Sequence, residues 1–163
     1  MRRRPHGVRP HPVRVGPSGR AIRAPRRHSA ARVGRREADR VAALWAPDGV
    51  YDIDELFLAG RERIREMVRS PAHQAWIRQG CAHVVGPPHI TVVGDEAVAV
   101  CHSLMVVREA GRYIVRRATA NHWRLRRTES GRQVVTRTNR ILDGRPESPG
   151  LPARGVRGEP AGS

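Results

Sequence analysis

Five histidines lie in the central part of the chain: His73, His83, His89, His102 and His122. The pKa of histidine lies near neutrality, so each is a candidate for moving a proton. None is spaced from a second His, Cys or acid in a pattern typical of zinc sites, so we expect no metal. His83 opens the first long predicted strand and is the candidate general acid or base. Alternatively, His83 is a structural histidine whose hydrogen bonds are satisfied within the fold. For His89 and His102 this structural explanation is stronger than a catalytic one.

Three polar residues, Asn121, Arg137 and Asn139, interrupt strand faces that are otherwise apolar. An arginine in the middle of a strand needs an anion, a carbonyl group or solvent. Arg137 therefore belongs to a binding site or pairs with an acid such as Asp52, and the sequence leaves both explanations open. The sequence contains no nucleophile motif, glycine-rich phosphate loop or dinucleotide fingerprint, so we expect no cofactor.

The elements that must position these side chains include a predicted β-sheet over residues 82–142. Runs rich in β-branched and aromatic residues are separated by turn signals at 94–95, 109–111 and 129–131. Strands joined by such short breaks form an antiparallel meander, here of three or four strands. In the strand at 97–107 both faces are largely apolar, so both need a cover. The face with small side chains favours helices or a cavity, and for the valine face we expect a second copy of the chain, packed sheet to sheet.

Two helices are predicted before the sheet. The first begins near residue 34 and ends at a turn formed by residues 47–49. Its apolar face carries Ala38, Val41, Ala42 and Trp45. After a short strand at 50–53, the second helix carries the apolar stripe Ile64, Met67 and Val68. Residues 72–80 add one more helical turn, anchored by Trp76 and Ile77.

The formal net charge of +16 is concentrated at the N-terminus. Residues 1–36 contain 12 Arg and no acidic residue, whereas residues 37–147 contain 17 Arg and 14 acidic residues. All 31 basic residues are Arg, a bias that GC-rich codons explain better than selection for phosphate binding. We therefore expect no specific nucleic-acid partner. Any binding should be weak and salt-sensitive, and it should be lost when residues 1–33 are deleted.

The two ends of the chain are predicted to be disordered tails around one domain at residues 34–145. Residues 1–33 lack apolar periodicity, and residues 146–163 are rich in Pro and Gly. The first segment is a flexible tail or upstream sequence translated from a misplaced start, with a transit peptide or an RNA- or membrane-binding arm as further alternatives. No run approaches the ~20 apolar residues of a membrane span. We expect a cytoplasmic protein with no membrane partner, in which Cys81 and Cys101 are small buried hydrophobes.

In the order of its elements, the chain resembles the SnoaL-like branch of the nuclear transport factor two-like superfamily. The matching segments are ADRVAALWAPDGVYDID, GRERIREMV, HVVGPPHITVVGDEAVAVCHS, NHWRL and VVTRTNRILDG. This resemblance covers residues 34–145. It implies an α+β fold, a cone-shaped, cystatin-like roll in which a curved antiparallel sheet wraps around N-terminal helices. The resemblance also implies a pocket between sheet and helices and a homodimer that forms through the sheet. Members include polyketide cyclases, dehydratases and ketosteroid isomerases, so the family does not fix the reaction.

The resemblance also implies a site for a small, mostly apolar molecule. His83 and Arg137 would face one pocket, under a roof of Val41 and Trp45 or Ile64. If the domain is an enzyme, it transfers a proton on an apolar carbonyl compound without a cofactor, as an isomerase, dehydratase or cyclase. His83 would move the proton, and Arg137 with Asn121 would stabilise an enolate oxygen.

Tyr51 and Asn139 complete the expected lining of this pocket. Many relatives also carry a pocket Asp just before the segment that matches RREADRVAALW, and here that position is Gly34. The alternative function is therefore a non-enzymatic ligand-binding or dimerisation domain with an incomplete pocket.

Overall fold

The computed structural model describes residues 30–54 and 56–162, with side chains from Arg36 onward. Most of the predicted N-terminal tail, up to residue 29, lies outside the described residues. The helices of the described part are α1 (Ala30–Ala43), α2 (Arg61–Arg69), α3 (Pro71–Gln79) and α4 (Glu147–Val156). The strands are β1 (Trp45–Ile53), β2 (Leu56–Ala59), β3 (Cys81–Val85), β4 (His89–Val93), β5 (Glu96–Glu109), β6 (Arg112–Thr128) and β7 (Gly131–Ile141).

The seven strands form one open, mixed sheet in the order β2-β1-β7-β6-β5-β3, and β4 pairs with β5 beside β3. Every pairing is antiparallel except that of β1 with β7, which is parallel. The α+β class and the antiparallel meander are confirmed. The parallel pairing was not predicted, because it joins two strands that are distant in sequence and no local signal marks such a contact.

The first strand of the predicted meander is two strands in the structure. β3 pairs with the second half of β5 and β4 with its first half, and the segment between them contains Gly86 followed by two prolines. Proline has no N–H to donate to a sheet ladder, so pairing stops there. This break separates His83, on β3, from the rest of the predicted strand.

The N-terminal helices lie on one face of the sheet, hereafter the concave face. α2 packs against β1 and β2, α3 packs against β3 and β5, and α1 packs on α2 and β1. Ile64 and Val68 are the buried residues of α2, as its apolar stripe predicted. Ser70 caps α3 by accepting the N–H of His73 at 3.2 Å, and Pro71 begins the helix at a position where no N–H is needed.

Trp45 was wrongly placed on the first helix: α1 ends at Ala43 and Trp45 begins β1. The carbonyl of Leu44 accepts the N–H of Val134 at 2.8 Å, so the chain enters the sheet just after the helix. Pairing with β7 decides this boundary, although Ala38, Val41, Ala42 and Trp45 have helical spacing. The predicted turn at residues 47–49 is a bulge inside β1, where the register with β7 shifts between Trp45 and Val50.

The C-terminal segment is helical, and the prediction of an unstructured tail at residues 146–163 is wrong there. α4 packs on β4, β5 and β6 across the face opposite α2 and α3, hereafter the convex face. Ser148, Leu151 and Gly155 are its buried residues. Part of the valine face thus has a cover within the chain, where the sequence analysis expected only a second copy of the chain.

Local chemistry explains how a segment rich in Pro and Gly forms α4. Pro149 lies in the first turn, where N–H groups have no partner inside a helix, and only Pro152 lies further inside. A Cβ on Gly155 would overlap with Cγ1 of Val100, so glycine is what lets the helix approach the sheet. Among the described residues, no helix is both long and apolar enough to cross a bilayer.

Candidate functional site

A pocket of about 570 Å³ lies between the concave face and the helices α2 and α3. This volume is within the roughly 300–1,000 Å³ range of small-molecule sites. Its lining residues are Tyr51, Ile53, Leu56, Met67, Ser70, Ala72, His73, Trp76, Ile77, Cys81, His83, Ser103, Met105, Arg117, Thr119, Arg137 and Asn139. Helices α2 and α3 contribute the apolar side chains of Met67, Ala72, Trp76 and Ile77, and the sheet contributes most of the polar ones.

Strand alternation explains why the polar side chains share one face. Residues two apart point the same way, as do residues directly opposite each other on neighbouring strands. In register, Arg137 lies opposite both Tyr51 on β1 and Trp123 on β6. His83 lies opposite Met105, which in turn lies opposite Arg117. The concave face thus carries Arg137 in one cross-strand row and His83 in another.

Arg137 is held between two aromatic rings. Its guanidinium carbon lies 4.8 Å from the ring centre of Tyr51 and 4.2 Å from that of Trp123, within the range of cation–π contact. Its Nη2 and Nε donate hydrogen bonds to Oδ1 of Asn121 at 2.8 and 3.3 Å. Burial lowers the pKa of Arg137, yet arginine remains protonated at neutral pH. Among the described residues, no carboxylate forms an ion pair with this cation.

Neighbouring acids are already engaged by other arginines. Asp52, the expected partner of Arg137, instead pairs with Arg140 at 2.6 Å. Asp54 pairs with Arg117, and it also accepts the N–H of Ile141 at 3.0 Å. The ion-pair explanation of Arg137 is therefore contradicted for Asp52. The pocket holds a cation whose local partners are an amide oxygen and two aromatic faces.

A hydrogen-bond network fixes Asn121 behind Arg137. Nδ2 of Asn139 donates to Oδ1 of Asn121 at 2.9 Å, and Nδ2 of Asn121 donates to Oγ of Ser103 at 2.9 Å. Ser103 and Thr119 share a further hydrogen bond of 2.9 Å. These groups are buried, and their mutual bonds satisfy most of their polar atoms. Asn121 is thus held with its oxygen towards the guanidinium.

His83 lies at the wall of the same pocket. Partial burial, followed by the nearby positive charge of Arg137, lowers the pKa of His83 below its ordinary value of 6.5. The imidazole is therefore mainly neutral at pH 7 and can accept a proton. Burial also lowers the pKa of His73, which lines the pocket close by.

Tyr51 supplies a hydroxyl group to the pocket. Burial raises the pKa of this phenol above 10.0, so it keeps its proton at neutral pH. A protonated phenol can donate a hydrogen bond to an oxygen of a bound molecule. Tyr51 also packs against Trp45, with ring centres 5.4 Å apart, which fixes the ring from behind.

Four predicted site residues line the pocket: His83, Arg137, Tyr51 and Asn139. Three others do not. Trp45 and Ile64, only 5% and 1% exposed, form a core cluster with Val134. Asn121, 1% exposed, lies behind Arg137 and contacts it. Val41 is also absent from the lining, so the expected roof of Val41 with Trp45, or of Ile64, is wrong.

The roof of the pocket consists of residues that sequence reasoning did not assign to the site. Met67 and Trp76 belong to α2 and α3, and His73 and Ile77 complete the inner side of α3. The sequence predicts Trp76 and Ile77 only as anchors of a helical turn. The sequence did contain a signal for these residues. It is the apolar stripe of the helices, which faces the small side chains of β5.

The site has few potential metal ligands, and the two cysteines of the chain form no disulfide. Within residues 36–54 and 56–162, no group of three His, Cys, Asp or Glu side chains converges to hold a metal ion. Cys81 and Cys101 are both free thiols. Cys101 is buried as expected, whereas Cys81 is half-buried and lines the pocket.

The chain belongs to the SnoaL-like domain family, whose sequence model matches residues 20–139. An NTF2-like protein with a cystatin-like fold from Novosphingobium aromaticivorans is 36% identical, over 74% of this chain and 78% of that chain, with a TM-score of 0.69. The predicted family and the cystatin-like α+β roll are thereby confirmed. The family match begins within the segment predicted as a tail, in keeping with the start of α1 at Ala30.

More distant structures share the fold alone. Aln2 from a Streptomyces species is 17% identical, over 69% of this chain and 81% of that chain, with a TM-score of 0.59. A protein from Catenulispora acidiphila, solved in complex with S-DNPA, is 16% identical over 67% of this chain and 81% of that chain, with a TM-score of 0.57. Among curated proteins, none matches this chain.

Proposed function

We propose that the concave pocket binds a small, mostly apolar carbonyl compound and that His83 transfers a proton on it without a cofactor. The observation that carries this proposal is the meeting of His83 and Arg137 in one mostly apolar pocket. A neutral imidazole can act as a base, and a cation without a carboxylate partner can hold negative charge on an oxygen. Tyr51 can donate a hydrogen bond to the same molecule.

The proposed chemistry begins at a carbon next to the carbonyl group. His83 accepts the proton, and the electron pair of the broken C–H bond moves to form an enolate. Return of the proton at another carbon gives isomerisation. In dehydration, a hydroxyl group on the β-carbon takes the proton from His83 and leaves as water. In cyclisation, the enolate carbon attacks a second carbonyl group, whose oxygen takes the proton from His83.

Hydrogen–deuterium exchange tests this proposal without the natural substrate. 2-Tetralone, an apolar ketone with exchangeable α-protons, is incubated with the protein in deuterium oxide and followed by NMR. We expect enzyme-dependent exchange that falls by about 100-fold or more in His83→Gln, the usual contribution of a general base. His102→Gln is the matched control, because His102 does not line the pocket, and it should retain most of the exchange. Equal exchange in wild type and His83→Gln would contradict the assignment.

A non-enzymatic ligand-binding domain is the second candidate, and one observation favours it. No Asp or Glu is among the described residues that line the pocket, so the acid that many relatives carry has no counterpart there. On this account the domain binds the same molecules but does not promote exchange. Saturable binding of 2-tetralone, with exchange no faster than in buffer, would identify this function.

Homodimerisation through the sheet and a cytoplasmic location remain predictions. α4 covers the convex face around Val100, but Val84 and Leu104, opposite each other in register, are 53% and 38% exposed on that face. This apolar pair lies where a second sheet would pack. The expected contact area is smaller than the sequence suggested, because α4 occupies part of the face.

A further inference from the structure

Arg137 lines the pocket and retains unused hydrogen-bonding capacity. A guanidinium has five N–H donors, and Arg137 uses its Nε–Nη2 edge on the single oxygen Oδ1 of Asn121. The edge formed by Nη1 and the second N–H of Nη2 has no acceptor among the described residues. That edge is the one that pairs with the two oxygens of a carboxylate in bidentate geometry.

The charge of Arg137 is also uncompensated, unlike that of the arginines beside it. Arg117 and Arg140 each pair with an aspartate, whereas Arg137 contacts an amide oxygen and the faces of Tyr51 and Trp123. Burying a cation without a counter-ion is costly, and a ligand that brings a negative charge removes that cost. A neutral carbonyl compound would leave the charge unbalanced.

Arg137 and His83 lie in different cross-strand rows, so an anionic group bound at Arg137 occupies a different part of the pocket from the group at His83. The row that contains Arg137 meets β5 at Ala99, and the row that contains His83 meets it at Met105. The two rows therefore cross β5 at different points, although the side chains of Arg137 and His83 line the same pocket. A group held at Arg137 is therefore a different part of the ligand from the carbon that faces His83.

We propose that the pocket takes an apolar or aromatic carboxylic acid, whose carboxylate binds the free edge of Arg137 before any reaction. Side chains of Ile53, Leu56, Met67 and Trp76 enclose the apolar body, which points from Arg137 towards His83. This inference rests on the proposed binding of a small molecule in the concave pocket. It assigns to Arg137 the binding of a permanent anion, rather than the stabilisation of an enolate that exists only during the reaction.

A pair of probes of equal shape tests this proposal: 2-naphthoate and its neutral analogue 2-naphthamide, titrated by calorimetry at pH 7.5. For wild type we expect at least about tenfold tighter binding of the carboxylate, as a charge-assisted bidentate pair provides. The ratio should fall to about one in Arg137→Met. It should fall likewise in Asn121→Asp, which places a carboxylate against Arg137 within the fold. Arg140→Met, which removes a cation from outside the pocket, should leave the ratio unchanged.

The proposal is overturned if the wild type binds the two probes equally or binds neither of them. It is also overturned if Arg137→Met keeps the preference for the carboxylate. Failure of the proposed reaction is distinguishable from failure of this inference. His83→Gln should lose deuterium exchange but keep the preference for naphthoate. If the protein promotes exchange on 2-tetralone but does not prefer naphthoate, the proposed reaction stands and the proposed carboxylic acid ligand is rejected.

Discussion

Arg137 donates two hydrogen bonds to one oxygen of Asn121, at 2.8 and 3.3 Å, and thereby holds its guanidinium in a fixed plane. Asn139 donates to the same oxygen at 2.9 Å, so that oxygen remains bonded even without the arginine. The network that orients Arg137 is thus complete in itself. If Arg137 is removed, the polar atoms of Asn121 still have their hydrogen-bond partners in this network.

Arg137→Met should therefore abolish carboxylate binding without loss of stability. Replacing a buried, uncompensated cation by a side chain of similar length removes a desolvation cost. We expect the free energy of unfolding to change by less than about 1 kcal/mol, or to increase, because the remaining hydrogen bonds stay intact. Urea unfolding followed by circular dichroism measures this change.

Arg140→Met is the matched control, because it leaves Asp52 half-buried without its ion pair. This variant should lose roughly 1–3 kcal/mol of stability and retain naphthoate binding. The opposite pattern, with Arg137→Met unstable and Arg140→Met neutral, would show that Arg137 has a structural role.

Adding a single methyl group at Gly155 should weaken the packing of α4 on the sheet. In Gly155→Ala the new Cβ would overlap with Cγ1 of Val100, so the helix has to move away from the sheet. We expect a loss of about 1–3 kcal/mol, as in overpacked cores, and faster amide exchange in α4. At Gly150 of the same helix a Cβ meets nothing within 4 Å, so Gly150→Ala should be neutral or stabilising. Equal effects of the two substitutions would contradict the packing of α4 on Val100.

Stability should fall below pH 6.5, in part because of His122. Its side chain is 0% exposed, Nε2 donates to the carbonyl of Glu159 at 2.9 Å, and Nδ1 is buried without a partner. Burial lowers the pKa of His122 in the folded state below 6.5, so the unfolded chain binds the proton more tightly. The contribution of His122 is complete above pH 6.5 and is lost as pH falls through its folded-state pKa.

Thermal unfolding between pH 8 and pH 5 measures this dependence. His73 and His83 have pKa values shifted in the same direction, so they add to the slope. His122→Gln keeps a donor for Glu159 but does not titrate. It should reduce the slope by up to about 1.4 kcal/mol per pH unit, the effect of one proton. An unchanged slope would mean that His122 does not titrate on unfolding.

Sequence reasoning predicted the parts of the molecule that local pattern determines. The stripe of Ile64 and Val68 identified α2, and the turn signals identified the hairpins of the meander. The family resemblance implied that Arg137 and Asn139 line one pocket, and both line it in the structure. What remained undetermined was the register between strands, which decided that Arg137 contacts Trp123 and that Asp52 pairs with another arginine.

The errors have specific physical causes. Trp45 has helical spacing with the residues before it, but its strand pairs in parallel with β7, a contact distant in sequence. α4 was missed because Pro and Gly dominate its composition, although Ser148, Leu151 and Gly155 recur at helical spacing. That spacing was the available signal. The small residue at Gly155, normally unfavourable in a helix, is what the convex face requires.

A crystal structure of the protein with 2-naphthoate tests the central claim most directly. We predict that the ligand occupies the concave pocket, with both carboxylate oxygens within about 3 Å of Nη1 and Nη2 of Arg137. Its ring system should lie under α2 and α3 and extend towards His83. A carboxylate bound to Arg117 in place of Asp54, or a ligand on the convex face beside α4, would contradict the account.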